Sequence, residues 1–178
     1  MDLTCDERPS DSPLVDRIWH SHTEAAEDFT SIANSHWEIV VTRFQGRATL
    51  TVRGPETRPT PAMTLPGADF VGIQFKPGTI MPIFPAKMVI DRRDIDLPNA
   101  AGSRFWLNGA AWDFPDFEDA DTFVDRLVHD GLLVHDPVVG AVLEGQPIAS
   151  SLRTVQRRFL SATGLTQGAA FQIERARQ

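Results

Sequence analysis

Three side chains near the carboxyl end are spaced for one kind of chemistry. In residues 150–164, SSLRTVQRRFLSATG, Arg153, Gln156 and Arg157 stand at i, i+3 and i+4, which gathers them on one side of an α-helix. Guanidinium and carboxamide groups make forked hydrogen bonds to purine edges when a helix lies in the DNA major groove. On a helical wheel Leu152, Val155, Phe159 and Ala162 fall within an arc of roughly 80°, so the same segment offers a second, apolar face to a core. Ser150 or Ser151 can accept the first free backbone N–H groups, and Gly164 after Thr163 tolerates the positive φ of a helix stop. A surface helix with hydrated arginines fits the same spacing, and Leu160 lies on the polar face. Residue types alone leave both uses open.

The run SLRTVQRRFLSATGLT, followed by IERARQ, resembles the first helix-turn-helix and the start of the linker helix in the AraC family of bacterial transcription regulators. The recurring features fall on Ser151, Arg153, Thr154, Val155, Gln156, Arg157, Arg158, Phe159, Thr163 and Gly164. Upstream, EIVVT, the RGP turn, GIQFKPGTIMP, FWLNGAAW and DTFVDRLVHDGLLVHDPVV resemble the cupin-like N-terminal domain of one subgroup of that family. The resemblance implies a DNA-binding transcription regulator with an N-terminal sensor or dimerisation domain. Arg153, Gln156 and Arg157 would test base edges, and Ser151, Thr154 and Arg158 complete the expected DNA-binding set. A small-molecule effector and a homodimer are further expected partners. Family members carry two such units joined by a long helix, so the DNA-binding half is expected to be incomplete and its binding weak. The last helix is then expected to fray for want of a partner to bury Phe171 and Ile173. A natural short form, in which a dimer unites two single readers, is the alternative.

These side chains need elements to hold them. The expected fold class is α+β: a β-rich cupin-like barrel or sandwich, a helix over about 117–130, and an incomplete helix-turn-helix region. Residues 1–12 read as a flexible tail, 13–136 as the cupin-like regulatory domain and 137–178 as a partial DNA-binding domain. HWEIVVTRF and RATLTVRG, separated by Gln45-Gly46, predict a hairpin with Leu50 and Val52 inward. Four prolines in residues 54–67 predict a loop or an irregular edge, and ADFVGIQFKPG resumes a strand with Val71, Ile73 and Phe75 on one side. Pro82 and Pro85 break residues 79–89, the charges of DRRDID at 91–96 most simply pair in solvent, and Asn108-Gly109 marks a turn. The helix near 117–130 has acidic residues at its start, Gly131 after its end and a stripe of Phe123, Val124 and Leu127. It could cover a barrel mouth or serve a dimer contact. After it, Pro137 opens a short helix that ends at Gly145 and supplies Val138, Val142 and Leu143 to support the reading helix.

Composition narrows the function classes. In 178 residues, 42% hydrophobic content suffices for a core. The net charge of −7 would argue against a nucleic-acid partner, but it is uneven. From Pro137 onward five arginines oppose two glutamates, a balance of +3, which leaves −10 on the rest. No apolar run approaches membrane-spanning length and the start is polar, so no membrane partner and a cytoplasmic location are expected. The single cysteine, Cys5, has no base nearby in sequence, and no phosphate loop, metalloprotease or nucleophile-elbow motif occurs. An enzyme is therefore not expected, and no cofactor. His20 and His22 alternate as strand ligands would, but their spacing to His36 completes no metal set, and surface histidines are expected. Eleven Phe and four Trp with no Tyr suggest an apolar aromatic interior. Trp37, Phe75, Trp106 and Trp112 could line one ligand pocket, although solid packing is the favoured expectation. The rival to a DNA-binding regulator is a stand-alone small-molecule-binding or dimerisation module.

Overall fold

The computed structural model describes residues 5–91 and 94–177. The chain is α+β, built on a six-stranded antiparallel sheet. Its order is β1 (Cys5–Arg8), β2 (Val15–Thr23), β7 (Ala68–Phe75), β4 (Glu38–Phe44), β5 (Arg47–Arg53) and β9 (Ile95–Asp96). The β4–β5 hairpin turns at Gln45 and Gly46, with φ of 49° and 73°. Two successive positive φ values give a turn whose twist matches that of the strands. Asn108 and Gly109, at 49° and 76°, do the same between β11 (Arg104–Leu107) and β12 (Ala110–Asp113).

Period-two alternation decides the core. Ile39, Val41, Leu50, Val52, Val71, Ile73 and Phe75 are all buried on one face of the large sheet. Against them pack Phe105, Leu107 and Trp112 of a three-stranded sheet, β10 (Asn99–Ala100), β11 and β12, together with Phe123, Val124 and Leu127 of α2 (Ala120–His129). The Trp112 and Phe123 rings meet edge-on at 5.8 Å, and the Arg126 guanidinium lies 3.8 Å from the centroid of the Trp112 ring. On the opposite face Trp19, Gly72 and Val40 stand in register. A Cβ on Gly72 would lie 1.9 Å from the Trp19 ring, so glycine is what lets the indole cross the sheet.

The barrel expectation is corrected: the large sheet is open. Closure needs the two edge strands to pair, but the edges here are β1 and the two-residue β9, which pair only with β2 and β5. The remaining strands form separate ribbons, β3 (Asp28–Ser31) with β6 (Thr60–Met63) and β8 (Thr79–Ile80) with β13 (Val134–His135). The first described residues of the chain pair with the body. Residues 1–4 lie outside the described residues, but β1 pairs with β2, and Arg8 binds Asp121 at 2.6 Å. Asp121 also accepts the Ser10 hydroxyl. In the DRRDID run, Arg92 and Arg93 lie outside the described residues, and the aspartates engage other segments. Asp91 accepts from the Thr57 N–H and hydroxyl, Asp94 faces Arg53 at 3.5 Å, and Asp96 accepts from Thr51 at 2.6 Å.

Three helices close the chain: α3 (Pro137–Leu143), α4 (Leu152–Thr163) and α5 (Gln167–Arg177). They share a second, smaller core of Val139, Phe159, Leu165, Ala170 and Ile173, with Ala33 and Ile90 of the body packed against it. Ile90 directly follows a short helix, α1 (Ala86–Val89), and the α4–α5 turn comes so close to it that a Cβ on Gly164 would lie 3.4 Å from Ala86. Ile173 is thus 7% exposed, contrary to the expectation that it lacks a partner, because α5 docks on the body as well as on α4. Glu174 on the same helix accepts the Ser35 hydroxyl and lies 3.6 Å from His36. Phe171 stays 40% exposed.

Candidate nucleic-acid interface

α4 is fixed at both ends. Ser151, not Ser150, is the cap: its hydroxyl accepts the Thr154 N–H at 3.3 Å and lies 2.9 Å from the Thr154 hydroxyl. Ser150 instead bonds locally to Ile148. At the far end Gly164 has φ of 74° and donates its N–H to Leu160, while the Thr163 hydroxyl donates back to the Phe159 carbonyl at 2.8 Å. Between these caps Val155, Phe159 and Thr163 are buried and Ala162 partly so. Leu152 belongs by angle to the apolar side but is 69% exposed, because packing on α4 begins one turn later at Val155.

The buried stripe decides which side chains face water. Arg153, Gln156 and Arg157 are exposed together, with Leu160 among them at 49%. Arg158 points elsewhere: its Nε donates to Asp136 at 2.8 Å. Asp136 is the N-cap of α3, accepting the Val138 and Val139 N–H groups at 2.9 and 3.2 Å. The pair thus ties the start of α3 to the middle of α4. Among the residues expected to support α4, Val142 and Leu143 pack on the small core, but Val139 rather than Val138 is the fully buried contact. Pro137 occupies the first turn of α3 and points the stripe one residue further along than the sequence suggested.

The aromatic set does not gather. Trp37, Phe75 and Trp112 are buried, but Trp106 is 47% exposed, because alternation along β11 turns Phe105 and Leu107 inward and Trp106 outward. The Trp112 indole donates to the Leu107 carbonyl at 3.2 Å. Trp37 instead lines a cleft of about 690 Å³ between α4 and residues 80–86, which sequence reasoning missed. Its only forewarning was the Pro82 and Pro85 punctuation that keeps this stretch off the sheet. His20 and His22 flank Asp69, at 3.9 and 2.8 Å, while His36 sits apart near Glu174. Among the described residues no group of three or more His, Cys, Asp or Glu side chains is placed to hold a metal ion. At Cys5, partial burial and the Glu7 carboxylate push the thiol above its usual range, which disfavours the nucleophilic thiolate. No described helix is long and apolar enough to cross a membrane.

Comparison with protein-family models, with curated proteins and with solved structures returns no match.

Proposed function

We propose that α4 is a DNA-reading helix and that the chain acts as a transcription regulator of the AraC kind, in the cytoplasm, with the β-rich body as its sensor or dimerisation part. The observation that carries this is the joint exposure of Arg153, Gln156 and Arg157 on a helix capped at both ends and seated on a core through the opposite side. A reading helix needs that combination, since base edges are discriminated only by donors held in fixed register. α3 serves as the support that sets the angle of entry, and the Asp136–Arg158 pair holds the two helices together. Arg158 is thereby a positioning residue rather than a base reader. The C-terminal balance of +3 against −10 elsewhere keeps attraction to phosphates local.

The test is selection of bound sequences from a random duplex library, followed by fluorescence anisotropy on the enriched site. Gln156→Ala is expected to relax preference at one base pair by about 1–3 kcal/mol while leaving the other positions alone. A library that emerges unenriched, or a Gln156→Ala profile identical to wild type, overturns the assignment.

A further inference from the structure

We propose that the cleft between α4 and residues 80–86 binds a small organic monoanion with an apolar body. Its volume of about 690 Å³ is within the range of roughly 300–1,000 Å³ usual for small-molecule sites. The two walls differ in chemistry. The body contributes Ile80, Met81, Pro82, Phe84 and Pro85, and α4 contributes Thr154, Arg157, Arg158 and Ser161.

Charge selects the occupant. Asp136 also lines the cleft, but its carboxylate is occupied by Arg158 and by two N–H groups of α3. Arg157 remains, and among the described residues no carboxylate pairs with it. The lining thus carries one uncompensated positive charge beside an apolar wall. A carboxylate can take two parallel hydrogen bonds from a guanidinium, and a hydrocarbon or aromatic body would cover the Pro82–Phe84–Pro85 surface. A cation is opposed by Arg157, and a multiply charged phosphate would leave the apolar wall facing water. Trp37 lines the same cleft beside these residues.

Such a ligand touches the body and α4 at once and takes up Arg157. If α4 reads DNA, ligand and duplex then compete for that guanidinium; this consequence rests on the function proposed above, whereas the site does not. Isothermal titration calorimetry on the full 178-residue chain without DNA separates the two. The probes are 4-phenylbutyrate and octanoate, with 4-phenylbutyramide as the neutral twin. One acid at least is expected to bind saturably at one site, and the amide about tenfold more weakly or worse. Arg157→Ala should bring the acid down to the amide's affinity and leave the amide unchanged. Arg175→Ala, which removes the same charge from the exposed side of α5, should leave both unchanged. Failure of both acids to bind at millimolar concentration, equal affinity for the amide, or equal losses in the two arginine variants would each overturn the proposal. None of these outcomes depends on whether the chain binds DNA.

Discussion

Glu38 shows how one residue can set the pH response of the sheet. Its carboxylate accepts the Trp19 indole N–H at 2.7 Å and faces Arg53 at 3.9 Å. Although 23% of the side chain is exposed, loss of hydration around the carboxylate outweighs the pull of Arg53 and Trp19 and raises its pKa above the ordinary value of 4.5. A carboxyl raised on folding contributes stability that is fully present below its unfolded pKa and lost as pH rises through the folded one. Asp121 works in the other direction. Burial tends to raise it, but hydrogen bonds from Ser10 and Arg8 prevail and hold it below 3.8, so its contribution is present above that value and lost as pH falls through the folded pKa. Glu38→Gln keeps an oxygen for Trp19 and removes the charge. Thermal melts from acid to neutral pH are expected to lose the decline above the ordinary carboxylate range in this variant, and an unchanged pH profile would contradict the account. Gly72 tests the same neighbourhood sterically. Gly72→Ala drives a methyl into the Trp19 ring and should cost about 1–3 kcal/mol. Tryptophan emission moving to the red with the lowered melting temperature is the signature, since the displaced indole meets water.

At the scale of the element, α4 depends on one ring and one carboxylate. Phe159 is fully buried in the small core, and Phe159→Ala is expected to destabilise the chain by about 3–5 kcal/mol. Asp136→Ala removes the cap of α3, worth about 0.5–2 kcal/mol, and also releases Arg158. Urea melts of Asp136→Ala, Arg158→Ala and the double variant give the coupling between the two helices; strict additivity would mean that the ion pair holds nothing together. This element was also the most legible in the sequence. Its cap, its glycine stop and its exposed polar face are local matters, set by residue type within a few positions. The hairpin at Gln45-Gly46 and the turn at Asn108-Gly109 were legible for the same reason, because each must take positive φ. Long-range partners were not. Nothing near Arg158 in sequence announces Asp136, 22 residues away, and nothing in residues 13–23 announces that Trp19 will lie on Gly72. Barrel against open sheet turned on how short β9 and β1 are, and edge length depends on where neighbouring loops must go. The cleft was invisible because its two walls are far apart in the chain.

The whole molecule is electrically lopsided, with five arginines beyond Pro137 set on an acidic body. Each phosphate contact contributes about 0.9 to the slope of log affinity against log salt. If α4 reads DNA as proposed, a chain with at most five arginine contacts should therefore show a slope no steeper than about 5 per chain. A steeper dependence in anisotropy would mean that cations of the body also reach the duplex. The two cores divide the molecule in another way. Among the described residues the second has five buried side chains, too few to hold three helices unaided, and it leans on the body through Ala33, Ile90 and the Ser35–Glu174 contact. In native-state amide exchange this makes α3, α4 and α5 one opening unit. Their slowest amides should share a single free energy of opening, below that of β4 and β7, whose hydrogen bonds sit at the centre of the large sheet. Glu174→Gln, which weakens the tie to Ser35 and His36, should lower that shared value without touching the protection of the sheet. The helices would then undock many times for each global unfolding event, and every undocking would carry α4 away from residues 80–86 before the rest of the chain had moved.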